Sequence, residues 1–186
     1  MKNRLTLSIS AVLVGLTLTL AACSSDSSSS NATTTVSTGP QETAVGCPFT
    51  GTVAGSSGGS ASVAAATLTG ITTAKQGCVD NIQMDLGTGV PTWKAAYATG
   101  PILDAAGATI STTAPANLVF TITGATWKGA GSTPATVLPV QLDYVTSIRV
   151  VSGPNNTLLV IYGLDKQRPY QASDSSQPAY ISLGIG

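Results

Sequence analysis

The chain contains no histidine, and charged side chains make up only 9 % of its 186 residues. Without an imidazole, neither a Ser-His-Asp triad nor a Cys-His pair can be assembled, and the commonest metal ligand is missing. The three cysteines do not complete a zinc site by themselves. Eight basic residues balance eight acidic ones, with no stripe of positive charge, which argues against a nucleic-acid partner. The remaining chemistry is that of carboxylates. Glycoside hydrolysis needs only two of them, and Asp80, Asp85, Asp104, Asp143, Asp165 and Asp174 are available. Several fall at expected strand ends or turns, where Asp commonly binds its own backbone. The expectation is a protein that is not an enzyme and holds no cofactor or metal.

What is present begins at the N-terminus. Lys2 and Arg4 precede an apolar run, Leu5 to Leu20, which ends in Leu20-Ala21-Ala22-Cys23. A basic start, a short apolar segment and small residues at its end make a secretory signal. The run is short for a membrane-spanning helix, which needs about 20 apolar residues. Leu-Ala-Ala-Cys resembles the lipobox of bacterial lipoproteins. That resemblance implies that residues 1–22 are removed and that Cys23 becomes the acylated first residue of the mature chain. One acyl chain binds a membrane marginally and two or three bind it stably, so the protein is expected on the outer face of the cell membrane. Loss of Lys2 and Arg4 leaves six bases against eight acids, a formal charge of about −2.

Residues 23–45 are rich in Ser, Thr, Asn and Ala. Such a segment buries too little surface to offset its ordering entropy and reads as a flexible tether. Its root-mean-square span is roughly 25 Å, and its density of hydroxyls is compatible with O-glycosylation.

Residues 46–186 suit one folded domain. Short β-branched runs are separated by Gly, Pro, Asn and Asp, and helical periodicity is weak. Strands are expected at 67–73, 79–86, 93–98, 117–123, 144–151, 157–163 and 179–183. In "NIQMDL", "NLVFTITG" and "YVTSIRVV" apolar and polar residues alternate, as in strands with one face in the core. "TLLVIYG" is apolar throughout and reads as a central strand covered on both faces. Gly153-Pro154-Asn155-Asn156 is expected to close a hairpin. The whole reads as an antiparallel β-sandwich or a small open barrel. "SASVAAA" (60–66) is the one stretch compatible with a helix. The Gly/Ser tract 55–60 lacks the Lys of a phosphate-binding loop and reads as a surface loop.

With Cys23 acylated, Cys47 and Cys78 remain, an even pair in an exported domain, and a disulfide between them is expected. Such a bridge would stabilise the fold by roughly 3.5 kcal/mol in the chain-entropy picture. Of the aromatics Trp93, Tyr97, Trp127, Tyr162, Tyr170 and Tyr180, most are expected in the core or at its edge. Trp127, beside Lys128 and Gly129, is the one most readily placed on the surface.

The C-terminal part carries a resemblance. Trp93 and Tyr97 in "TWKAAY", Val145, Ile148 and Arg149 in "YVTSIRV", the turn Gly163-Leu164-Asp165-x-x-x-Pro169-Tyr170, and Pro178 before the last strand match the pattern of the AMIN-like domain of actinobacterial secreted proteins and lipoproteins. The similarity covers roughly residues 67–186. It implies a β-sandwich of the cell envelope that binds or localises and has no activity of its own, with peptidoglycan, wall glycan or an envelope protein as partner. At the turn, Lys166 and Arg168 are either solubilising charges or a basic contact for an anionic polymer, and Trp127 and Tyr170 are the aromatic candidates beside them. A carrier of lipid or another small apolar ligand is the alternative, and it would need a hollow interior.

Overall fold

The computed structural model describes residues 48–128, 136–138 and 140–186, with side chains for all but 136–138. Eleven strands are present among them and no helix. They are β1 (Ser56–Gly58), β2 (Ala66–Gln76), β3 (Val79–Leu86), β4 (Trp93–Tyr97), β5 (Ala116–Thr123), β6 (Ala125–Trp127), β7 (Thr136–Leu138), β8 (Val145–Gly153), β9 (Thr157–Leu164), β10 (Tyr170–Ser176) and β11 (Ala179–Ile185). One sheet runs β1-β4-β5-β9-β8-β7 and the other β10-β11-β3-β2-β6. The two sheets are separate, so the fold is a sandwich and not a closed barrel. All pairings are antiparallel except β2 with β6, which makes the second sheet mixed.

The alternating sequences fold as their period dictates. Ile82, Met84 and Leu86 of β3 and Leu118, Phe120 and Ile122 of β5 are buried, while Gln83 and Thr123 are exposed. Between the sheets, Trp93 stacks on Phe120 at 5.5 Å, and Phe120 meets Tyr162 edge-on at 5.7 Å. These rings, with Leu68, Ile148, Leu158 and Ile181, fill the interior at 0–1 % exposure. They pack in one cluster where an apolar carrier would need a hollow.

The outer faces of the two sheets differ. In β9, Leu159 and Ile161 point away from the main core, yet both are buried, and with Val151 they form a second small cluster against Ile102, Ile110 and Val119. The segment between β4 and β5 makes this cover. It is held by Asp104, whose Oδ1 accepts the N–H of Ala106 and of Ala108, both at 2.9 Å. The Ala105 N–H bonds Ser152 at 2.9 Å. This is why "TLLVIYG" needs apolar residues on both sides.

Two expectations are corrected. Residues 60–66 form a turn and an entry into β2: Ser60 and Ser62 share a hydroxyl bond of 2.8 Å, and the Val63 N–H returns to the Ser60 carbonyl. Local Ser bonding of this kind competes with helix. The Gly/Ser tract is not a free loop either, because Ser56–Gly58 pair with Trp93–Ala95 at the sheet edge. Its glycines are needed for close approach: a Cβ on Gly58 would enter the Trp93 ring and the Asp174 carboxylate.

Candidate functional site

The most specific motif in the sequence, Gly163 to Tyr170, crosses from β9 in one sheet to β10 in the other. A Cβ at Gly163 would collide with Ser147 and Ala114, so only glycine allows this approach. Asp165 then turns the chain. Its Oδ1 accepts the Lys166 N–H at 2.9 Å, and its two oxygens take Arg168 Nε and Nη2, each at 2.8 Å. Two parallel bonds between a guanidinium and a carboxylate fix both groups. The guanidinium carbon lies 3.8 Å from the centre of the Tyr144 ring, a cation–π contact. The Tyr97 hydroxyl donates to the Arg168 carbonyl at 2.7 Å and accepts the Arg168 N–H at 2.9 Å. Burial, ahead of that donated bond, raises the Tyr97 phenol above its ordinary value. The Arg168 guanidinium holds the Asp165 carboxyl below its ordinary value.

These contacts redistribute the sequence candidates. Tyr170 is withdrawn from the surface: its exposure is 0 %, and its hydroxyl donates to the carbonyls of Ala54 at 2.8 Å and Ala95 at 3.0 Å. A partner cannot reach that ring. Arg168 is paired with Asp165 and stacked, so its charge is largely neutralised within the chain. Lys166 is exposed. Trp127 is half-buried at the end of β6, packs against the main core and has a buried indole N–H without a hydrogen-bond partner. Sequence reasoning placed it outside because Gly and Lys follow it; parallel pairing with Leu68 draws it in. Cys23 and Cys47 lie outside the described residues. Cys78 is disulfide-bonded.

The carboxylates have structural work. Asp80 is buried at 1 % exposure, and its oxygens accept three consecutive backbone N–H groups, of Asp143, Tyr144 and Val145, at 3.0, 2.7 and 3.0 Å. That binds β3 of one sheet to the start of β8 in the other. Asp143 itself pairs with Lys75. Asp174 takes the Trp93 indole N–H at 2.9 Å and the Gly59 N–H at 3.1 Å, a second tie between sheets. Asp85 accepts from Gln83 at 2.6 Å. Among the described residues no group of three or more Cys, Asp or Glu is placed to hold a metal ion. Neither the Asp80 knot nor the Asp174 tie was foreseen from the sequence; "CVDN" offered only an Asp inside an alternating strand, at a core-facing register.

The sequence pattern of one family, described as AMIN-like domain, matches residues 66–185, a range that takes in β2 to β11. No curated protein and no solved structure matches.

Proposed function

The chain belongs to the AMIN-like domain family, and from that premise we propose that it is a non-catalytic, extracytoplasmic binding domain that attaches to the cell wall or another envelope component. The family match over residues 66–185 carries this reading. The engaged carboxylates support it, because Asp80, Asp143, Asp165 and Asp174 each hold the fold together. The filled sandwich interior weighs against the apolar carrier. We further propose that Cys23 is acylated after removal of residues 1–22, that residues 23–45 act as the spacer, and that Cys47 is the disulfide partner of Cys78.

Retention of the full chain, in detergent, on purified cell wall is the direct test. Sedimentation with the wall is the expected result. If the protein stays in the supernatant at every ionic strength, wall binding is wrong and the envelope partner must be a protein. Mass spectrometry of the purified chain tests the anchor: an acylated Cys23 N-terminus is expected, and an unprocessed Met1 terminus would overturn it.

A further inference from the structure

The two outer faces of the sandwich are unequal. The segment between β4 and β5 covers the β8-β9 part of one face and leaves a depression over Lys94, Ala96 and Thr121, whereas among the described residues the face on β10, β11, β3 and β2 is open along its length. Strand register fixes what it displays. Ser173, Ser182, Gln83 and Thr72 stand opposite one another across the four strands. Gln171 and Asn81 flank that row on one side, with Gly184 between them. An open depression of about 480 Å³ lies over these residues. One aromatic ring, Phe49, lines the depression, and a second, Tyr180, lies beyond it along β11. Tyr180 is half-buried, opposite Asp85. Phe49 sits at the other end, beside Gly184 and Val79. Gly184 lies four residue steps along β11 from Tyr180, about 14 Å at the antiparallel rise.

The chemistry of this face is narrow. Among the described residues, no Lys or Arg of these four strands stands at the outward-facing register. Lys75 lies at the inward-facing register, opposite Asp80, and is paired with Asp143. The one ion of these strands at the outward register is Asp85, which Gln83 engages at 2.6 Å. Hydroxyls and amides remain, each able both to donate and to accept. Several are already held in place: Ser173 and Ser182 are 2.7 Å apart, and Asn81 donates to Gln76 at 3.3 Å. Preorganised polar groups lose little on binding. A polyanion finds no countercharge here, and an apolar ligand would strand the amides unpaired. A polymer with hydroxyls and amides of its own, no charge, and apolar ring faces for Phe49 and Tyr180 matches every group present.

We propose that this open face binds a strand of uncharged polysaccharide, the site by which the domain would hold the wall; the proposal rests on the envelope-binding reading above. The experiment titrates the full chain, in detergent, with the N-acetylglucosamine tetramer and, separately, with polyphosphate, following amide chemical shifts. The variants are Gln83→Ala/Gln171→Ala, both at exposed positions, and Lys166→Ala at the turn. The tetramer is expected to shift residues of β3, β10 and β11 and to bind as well in about 1 M salt, where charge is screened. The double variant is expected to weaken it about tenfold or more, with Lys166→Ala unchanged. Equal binding by the double variant with an intact spectrum overturns the site. So does binding of polyphosphate alone, lost in Lys166→Ala, which would return the contact to the turn. Wall retention without tetramer binding sinks this proposal and leaves the envelope reading standing. Tetramer binding without wall retention leaves the face as a polysaccharide site and overturns the wall as its target.

Discussion

Two tyrosines with the same side chain sit in opposite circumstances. The Tyr162 hydroxyl is buried with no partner, and burial drives its phenol far above the ordinary range. A buried hydroxyl left unpaired costs about 1–3 kcal/mol, so Tyr162→Phe is expected to raise stability by about 1 kcal/mol in urea unfolding. Tyr170→Phe removes a donor from two carbonyls and is expected to lower it by about 1–2 kcal/mol. Sequence reasoning separated the pair without seeing this: apolar "TLLVIYG" placed Tyr162 in the core, polar "RPYQAS" offered Tyr170 as a surface contact, and only tertiary geometry supplies the carbonyls that bury it. Asp165 gives a pH signature at the same scale. Its carboxyl is held below its ordinary value near 3.8, so the unfolded chain takes up that proton first as pH falls. Its contribution is therefore complete above about pH 4 and is lost as pH drops through the lower, folded value. Because the pair is solvent-exposed, Asp165→Asn should cost under about 1 kcal/mol near neutrality. The gap between the two proteins should close on acidification below about pH 4, as read from unfolding curves between neutral and acid buffers.

The strands were the legible part. Every segment expected from period-two alternation is a strand, because alternation records which face is buried. The hairpin loop was readable too: Asn155 and Asn156 both adopt φ of 55°, a left-handed conformation that Asn tolerates and β-branched residues resist. Asn156→Val should therefore cost about 1–2 kcal/mol, measured by thermal unfolding. The strands missed were the short edges β1, β6 and β7 and the polar β10, "YQASDSS". An edge of three residues has no period to display, and β10 exposes one face and ends in serines. The cross-sheet ties were also invisible, because they join residues 64 and 81 positions apart. Asp80→Ala strands three N–H groups and opens β3 from β8. A loss of about 3 kcal/mol or more is expected, with hydrogen exchange at Tyr144 and Val145 accelerating first. Protection there equal to that of the unmodified chain would show that β8 is held otherwise.

At the scale of the whole molecule, strength is concentrated between the sheets, and the two outer surfaces are left to different uses. One is partly covered by the segment that carries Ile102 and Ile110; the other is polar and open. Removing the Cys78 disulfide by Cys78→Ser is expected to lower stability by about 3.5 kcal/mol if Cys47 is the partner, and Cys47→Ser should match it; unequal losses would assign another pairing. Composition made the fold class readable, since a chain with so few charges and so many β-branched residues has little choice but stacked sheets. Which outer surface stays bare was not readable, because the covering segment "GPILDAAGATI" looks like any loop. Finally, Phe49 lies against Gly186, and Thr52 pairs with Tyr170 just beside them. The polypeptide thus enters and leaves the sandwich at one corner. Joining those two points and reopening the chain between Pro154 and Asn156 would re-thread the same sandwich with new ends. Such a circular permutant should retain the open polar face, and its new ends would lie on the far side of the domain.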